Sequence, residues 1–191
     1  MKKVIGLFVG IILLHFLASG CAYNVAFKTP EPYQYETTIP LRVVFYMDKT
    51  LKDEKSSQRG IPGWVVPIGD IVHMYAISYM KNGFESFQEI ETLNEKPTYD
   101  VLVKVNSINY YFHSLAERAR CDLTFNIENS LGNLVFDKTY HADGPSGFGR
   151  VAVGGVFAEK SARRQSTHAV MVTIFNNFMD DVRTNFNNWE R

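Results

Sequence analysis

The strongest constraint on the fold is a segment in which apolar and polar side chains alternate without a break. From position 121 to position 128, every odd position is apolar and every even position is polar. Because successive side chains of a strand point to opposite faces, this pattern predicts a strand with one buried face. A turn at 129–133 contains Gly132 and leads to a second apolar segment at 134–140, which predicts an antiparallel hairpin.

Further segments predict strands of the same sheet. Residues 39–47 are almost continuously apolar, which favours a central strand buried on both faces. Residues 84–93 alternate in part and predict a weaker strand. Residues 99–112 alternate clearly but change phase near Ser107, which predicts a bulge or a long bent strand. Trp64 to Val66 is a short strand or a turn.

Two segments have helical spacing. Apolar residues recur every three or four positions over 68–81, and Asn82-Gly83 provides a helix end. A long amphipathic helix is predicted over 159–189. The charged segment 48–63 and the glycine-rich segment 143–158 are predicted loops. Together these segments predict an α+β domain: an antiparallel four- to five-stranded sheet with two helices packed on one face, in the order β-α-β-β-β-β-α.

The N-terminus is typical of a secretory signal peptide. Lys2 and Lys3 precede a mostly apolar stretch at 4–17, and the small residues 18–20 lead to Cys21. The stretch is shorter than the ~20 residues of a membrane-spanning helix. Leu17-Ala18-Ser19-Gly20-Cys21 resembles the lipobox of bacterial lipoproteins, although leucine stands one position earlier than usual. The resemblance implies that Cys21 carries diacylglycerol and an N-linked acyl chain; the alternative is an ordinary signal peptide with a chance cysteine.

This interpretation divides the chain into three parts. Residues 1–20 are the signal peptide, 21–37 are the lipidated cysteine and a tether, and 38–191 are a single periplasmic domain. Pro30 and Pro32 favour an extended tether, and about 16 extended residues span roughly 50 Å. The tether also carries aromatic residues, which either pack on the domain or contact a partner, and packing is favoured: Tyr23, Phe27, Tyr33 and Tyr35.

Charge and cysteine content exclude some classes of protein. Without Lys2 and Lys3, 18 basic residues stand against 20 acidic ones, a net charge of −2. The absence of a basic surplus argues against nucleic-acid binding. Cys21 and Cys121 are the only cysteines, so a lipidated Cys21 leaves Cys121 without a disulfide partner. Cys121 lies on the apolar phase of its strand and is expected to be buried and inert.

No catalytic or metal-binding motif is complete. The glycine spacing in 143–158 does not fit a dinucleotide loop, and Glu159 occupies a glycine position of the phosphate-loop pattern before Lys160-Ser161. Ser146 is not in a nucleophile elbow. The histidines stand singly, without zinc-ligand spacing: His73, His113, His141 and His168. We therefore expect no enzymatic activity, no metal and no cofactor beyond the acyl groups on Cys21.

The glycine-rich segment is the candidate contact surface for a partner. We predict partner-binding residues at Phe148, Arg150, Val151, Val153, Val156 and Phe157. The alternative is that the apolar members form a short strand or cover a helix. A basic cluster follows the same segment and fits acidic lipid headgroups or an acidic partner, although a solvated helix start is favoured: Arg150, Lys160, Arg163 and Arg164.

The whole pattern resembles a broad group of small Gram-negative envelope lipoproteins, among them auxiliary lipoproteins of ABC-type lipid-transport systems and assembly lipoproteins. The resemblance rests on the lipobox, on Arg42-Val43-Val44-Phe45, on Tyr99-Asp100-Val101-Leu102-Val103 and on the Gly132 hairpin. It implies a non-enzymatic assembly or auxiliary module that binds another envelope protein. Ala22, where an aspartate would retain the protein at the inner membrane, implies the periplasmic face of the outer membrane. The alternative function is a carrier or sensor of an apolar ligand held between sheet and helices.

Overall fold

The computed structural model describes residues 23–58, 63–95, 97–113 and 118–189, with side chains omitted for 148–157. Within these ranges the chain is an α+β domain built on two sheets. The larger sheet has five strands in the order β5-β2-β6-β7-β8. Its strands are β2 (Ile39–Met47), β5 (Phe84–Ile90), β6 (Val101–His113), β7 (Arg118–Asn129) and β8 (Leu134–Asp143).

The antiparallel half of this sheet matches the sequence prediction. β6 pairs with β7, and β7 pairs with β8, both antiparallel. The register of β6 against β7 shifts between Val105 and Ser107, where the side-chain alternation changes phase. Gly132 has a φ of 82° in the turn that joins β7 to β8, a conformation that glycine adopts without a steric cost.

The other half is parallel, so the predicted purely antiparallel sheet is wrong. β2 is parallel to both β5 and β6. Parallel strands need a connection that brings the chain back to the end of the sheet where the first strand began. Helix α2 (Ile68–Met80) lies in the connection between β2 and β5, and residues 91–100 connect β5 to β6. The apolar sequence of β2 fits this position, because Val43 and Val44 are both buried although they face opposite sides.

The element order also differs from the prediction. The predicted loop 48–63 contains a short helix α1 (Lys49–Lys52) and strand β3 (Ser56–Gln58). β3 pairs with β4 (Trp64–Val66), and β4 pairs with β1 (Tyr23–Asn24) to form a second, three-stranded sheet. These pairings join the start of the predicted tether to the body of the domain.

The last helix is longer than predicted, so the loop predicted over 143–158 is correct only for residues 144–147, because Asp143 ends β8. Helix α3 spans Phe148–Asn185, with Gly147 at its N-cap, and a 3₁₀ turn (Phe186–Asn188) follows. Glycine costs about 1 kcal/mol per residue in a helix relative to alanine, which disfavours a helix without forbidding it. Pro145 is the last proline of the chain, so no proline stops the helix from extending back to Phe148.

Aromatic side chains fill the space between the large sheet and helices α2 and α3. The rings of Phe125 and Phe178 stack with centroids 4.1 Å apart, and Phe175 meets Phe125 at 5.6 Å. Cys121 is fully buried in this core, and burial raises the pKa of its thiol to about 12, as expected for an inert cysteine. Among the described residues, this interface is packed with buried side chains.

Candidate functional site

The segment 25–37, which we call the strap, lies along the helices. The Val25 amide donates to the Val65 carbonyl at 3.0 Å, and the Val25 side chain is fully buried. Farther along, the Tyr33 amide donates to the Ser78 carbonyl at 3.0 Å, and the Ser78 hydroxyl donates to the Glu31 carbonyl at 2.7 Å. The described part of the predicted tether is thus attached to the domain along its length.

Helix α3 binds the strap near both ends of the strap. The Arg164 Nε–H donates to the Ala26 carbonyl at 3.0 Å, and the Arg183 guanidinium donates to the Thr37 carbonyl at 3.4 Å. The same guanidinium lies 5.1 Å from the centroid of the Tyr35 ring. Burial, the largest effect, raises the pKa of Tyr35, so this phenol is neutral at physiological pH. The sequence favoured packing of the tether aromatics on the domain, and Tyr35 packs in this way.

A groove of about 410 Å³ lies between the strap and helix α3. Tyr75 of helix α2, only 3% exposed, contributes to its wall, and Phe27 and Pro30 of the strap form the opposite side. The remaining lining residues are Lys28, Thr29, Ser161, Arg164, Gln165 and His168. The groove is therefore assembled from three parts of the chain that are distant in sequence.

The charges around this groove have one sign. Lys28 and Arg164 are its charged lining residues, and none of its described lining residues is acidic. Within the described ranges, neither Lys28 nor Arg164 takes part in an ion pair. The Tyr75 hydroxyl hydrogen-bonds to Nδ1 of His168. Burial raises the pKa of Tyr75 to about 12, so the phenol keeps its proton at physiological pH.

Arg163 is adjacent to Arg164 in sequence but is buried, contrary to the predicted solvated helix start. Its side chain is 2% exposed and donates to the Glu159 carboxylate at 2.6 Å and to the Gln58 side-chain oxygen at 2.7 Å. The guanidinium lies 4.0 Å from the centroid of the Phe112 ring. Two neighbouring members of the predicted basic cluster therefore have different environments. Arg163 is buried and forms an ion pair with Glu159, whereas Arg164 lines the groove.

The next turn of α3 is also polar and buried. The Ser166 hydroxyl accepts a hydrogen bond from the Ala119 amide at 2.7 Å. The Thr167 hydroxyl lies 2.8 Å from that of Tyr110, whose pKa is raised by burial to about 12. A Cβ atom at Gly144 would stand 2.2 Å from the Ser166 hydroxyl, so this contact requires a glycine there. These bonds attach α3 to the start of β7 and the end of β6.

The predicted lipidation and partner-binding residues are not settled by these contacts. Cys21 lies outside the described residues. Phe148, Arg150, Val151, Val153, Val156 and Phe157 belong to the first turns of α3, and their side chains are likewise outside the described set. The helical backbone replaces the loop on which the partner prediction was based. The prediction itself stays open.

The histidines have separate partners. His73 lies 2.7 Å from Glu89, which also binds Lys52, and His141 lies 2.5 Å from Asp122. His113 packs edge-on against Tyr111, and His168 binds Tyr75. In the described part of the chain, no three His, Cys, Asp or Glu side chains are placed to hold a metal ion.

No protein-family model matches the chain, and no curated protein matches it. A crystal structure described as that of an uncharacterized protein is similar, with a TM-score of 0.42 and 7% identity. The match covers 86% of this chain and 97% of the other. Among the described helices, none is long and apolar enough to cross a membrane.

Proposed function

We propose that this protein is a lipid-anchored envelope lipoprotein, attached to the periplasmic face of the outer membrane through Cys21. In this proposal it is a non-enzymatic assembly or auxiliary module that binds another envelope protein. The observation that carries the proposal is the docked strap. The chain is attached to the domain from Tyr23 onward, because the Tyr23 amide donates to the Gly63 carbonyl at 2.8 Å.

The docked strap determines where such an anchor would hold the domain. Tyr23 is the second residue after Cys21, and two extended residues span at most about 7 Å. An acylated Cys21 would therefore keep the three-stranded sheet close to the bilayer surface. A free, extended tether would instead let the domain move up to roughly 50 Å from the bilayer. Two or three acyl chains anchor such a domain stably, since each buried methylene contributes about 0.8 kcal/mol.

The first turns of α3 are the proposed contact for the protein partner. Arg164 of α3 binds Ala26 of the strap, so the part of α3 around Arg164 lies near the anchored end of the domain, and the helix begins about 24 Å from Arg164 along the helix axis. The apolar residues of the first turns fit a partner that is embedded in, or attached to, the same membrane. A partner reached from this position would be recruited at the membrane surface.

Acylation is tested by labelling cells with palmitate and comparing the wild-type protein with Cys21→Ser. We expect label in the wild-type protein and none in the variant, because the thiol is the proposed acceptor. Label that persists in the variant would place the acyl groups elsewhere and contradict the anchor. An unlabelled wild-type protein would do the same.

Partner binding is tested by crosslinking in cells and purifying the acylated protein. The test variant is Phe148→Ala/Phe157→Ala, which keeps helix-forming residues in α3. The control is Leu131→Ala/Leu134→Ala, which removes two apolar side chains that are 73% and 53% exposed near the β7–β8 turn. We expect the phenylalanine variant to lose one envelope protein that the control retains. Retention by both variants would exclude these phenylalanines as the contact.

The second candidate function is a carrier or sensor of an apolar ligand, and the strap groove favours it. The groove lies outside the sheet–helix core and is lined mainly by carbon atoms. A bound lipid in native mass spectra of the purified protein, without any protein partner in crosslinks, would favour this function over the first.

A further inference from the structure

We propose that the strap groove binds an anionic phospholipid of the membrane to which the domain is anchored. The inference rests on the proposed anchoring at Cys21, because that anchor brings the groove to the bilayer. In this arrangement Lys28 and Arg164 bind the phosphate headgroup, and Phe27, Pro30 and Tyr75 contact the glycerol and the first methylenes.

Charge complementarity selects an anionic headgroup. The groove has cationic side chains from the strap and from α3 and no acidic lining residue among those described. This local charge contrasts with the mature chain, which carries 18 basic and 20 acidic residues after the signal peptide is removed. A positive groove on a slightly negative protein attracts anionic lipid most strongly where the groove meets the membrane.

The fixed geometry of Arg164 makes it the main phosphate ligand. Its Nε–H is already bonded to the Ala26 carbonyl, which holds the guanidinium at the edge of the groove. The two terminal nitrogens of a guanidinium bind a phosphate in a bidentate manner. Lys28 adds a second charge from the strap, and its ammonium donates without a fixed orientation.

Position favours a membrane lipid over a soluble acidic molecule. Phe27 is six residues after Cys21, so it lies at most roughly 20 Å from the acylated cysteine along an extended chain. The aromatic and proline side chains of the wall offer an apolar surface beside the charges. An amphiphile satisfies both surfaces, whereas an acidic peptide would satisfy the cations alone.

The test uses the full-length protein purified from membranes and placed in nanodiscs of equal phosphatidylcholine and phosphatidylglycerol. Native mass spectrometry after release counts the retained phospholipids. We compare Lys28→Gln, Lys28→Gln/Arg164→Gln and a control, Lys49→Gln/Lys81→Gln. The control removes two exposed positive charges away from the groove. Lys28→Gln removes charge without removing any described contact between the strap and the helices.

We expect the wild-type protein and the control to retain phosphatidylglycerol in preference to phosphatidylcholine. The double variant should retain roughly tenfold less phosphatidylglycerol, and Lys28→Gln should lie between the two. Equal retention of both lipids by the wild-type protein would overturn the inference. So would undiminished retention by the double variant, or displacement of the lipid by a glutamate-rich peptide.

The same sample separates this inference from the proposed function. The mass of the denatured protein reports the acyl groups on Cys21, whereas the native mass reports the additional phospholipid. An acylated protein that retains no phosphatidylglycerol leaves the anchor in place and rejects the groove site. A protein without acyl groups rejects the anchor, whatever its native mass.

Discussion

The two halves of helix α3 pack against the same domain in different ways. In the distal half, 169–185, the buried side chains are all apolar: Val170, Met171, Ile174, Phe175, Phe178, Met179 and Val182. In the described part of the proximal half, 158–168, one buried side chain is apolar and three are polar or charged: Ala162, Arg163, Ser166 and Thr167. The distal half thus belongs to the core, whereas the proximal half is joined to its surroundings by specific polar contacts.

Helix α3 thus combines apolar core packing in its distal half with specific polar contacts in its proximal half. Apolar packing in the distal half tolerates many substitutions of similar volume, because dispersion and hydrophobic contacts lack direction. Buried polar groups require particular partners at particular positions, and leaving one unpaired is costly. The polar contacts fix the position of the proximal half, and with it the strap, the groove and the proposed partner contact.

The largest expected effect is in the distal half. Phe178→Ala removes the ring that stacks on Phe125 at 4.1 Å and leaves a cavity between α3 and the sheet. We expect the free energy of unfolding to fall by about 3–5 kcal/mol, measured by denaturant unfolding. The control Asn177→Ala lies on the exposed side of the same helix turn and should change stability by less than about 0.5 kcal/mol. Similar losses in the two variants would mean that Phe178 is not in the core.

A slightly smaller loss is expected from the charged contact of the proximal half. Arg163→Ala leaves the Glu159 carboxylate and the Gln58 oxygen without this donor. Because the Glu159 side chain is 19% exposed, we expect a loss of about 3 kcal/mol, at the lower end for a broken buried pair.

A double-mutant cycle sharpens this prediction. In an Arg163→Ala/Glu159→Gln variant, the loss should be smaller than the sum of the two single losses, because no carboxylate remains unpaired. Additive losses would show that the two side chains do not interact. In that case Arg163 would not provide one of the specific polar contacts that distinguish the proximal half of α3 from the distal half.

A single neutral hydrogen bond of the proximal half should have an intermediate effect. Ser166→Ala leaves the buried Ala119 amide without its acceptor, which costs about 1–3 kcal/mol. Hydrogen exchange at the Ala119 amide reports the loss directly, and exchange should become faster in the variant. Unchanged exchange would mean that this amide has another acceptor.

Asp181 of the distal half makes polar contacts with the sheet, and the pH dependence of these contacts is testable. Burial raises the pKa of Asp181, but hydrogen bonds from Lys138 and Tyr140, both at 2.5 Å, outweigh burial and lower the net pKa. A lowered folded-state pKa stabilises the protein above the unfolded-state value near 4, and this contribution is lost as the pH falls through the folded-state value.

The variant Asp181→Asn removes this titration. We expect it to lower stability by about 1 kcal/mol at pH 7 and to flatten the loss of stability in acid, measured by thermal unfolding between pH 2 and 7. An acid transition identical to that of the wild-type protein would show that Asp181 does not titrate as described.

The smallest expected effect is at the distal end of the strap. Arg183→Gln removes a 3.4 Å hydrogen bond to Thr37 and the contact with the Tyr35 ring, and Arg183 is partly exposed. We expect a loss of no more than about 0.5–1 kcal/mol, with faster hydrogen exchange confined to the strap. Faster hydrogen exchange throughout the domain would instead mean that Arg183 contributes to the global stability of the fold.

The sequence predicted the parts of the fold that depend on local periodicity. Alternation revealed β6 and β7, the glycine-containing turn and the apolar segment after it revealed β8, and helical spacing revealed α2 and the distal half of α3. The direction of β2 was not predictable in this way, because a continuously apolar segment indicates burial on both faces but not the orientation of its neighbours. The glycines of 148–158 suggested a loop because they disfavour a helix locally, whereas the helix continues through them.

The candidate site was less predictable because its contacts join distant segments. Gln58 is separated from Arg163 by 105 positions, and Ala26 from Arg164 by 138. A basic cluster at a helix start has the same local sequence whether its members are solvated or buried. The strap has no period of its own, because its hydrogen bonds go to helix and strand residues elsewhere in the chain rather than to a regular partner strand.

Membrane anchoring through a docked strap is tested by the orientation of the acylated protein on a membrane. Spin labels at Ser161, in the groove, and at Leu131, in the β7–β8 turn, would be measured against a paramagnetic lipid headgroup. We expect Ser161 within about 20–30 Å of the headgroups and Leu131 tens of ångströms farther away, since β7 alone spans roughly 40 Å. Equal and broadly distributed distances for both labels would show that the domain moves freely on a long tether, and that the docked strap does not fix its position.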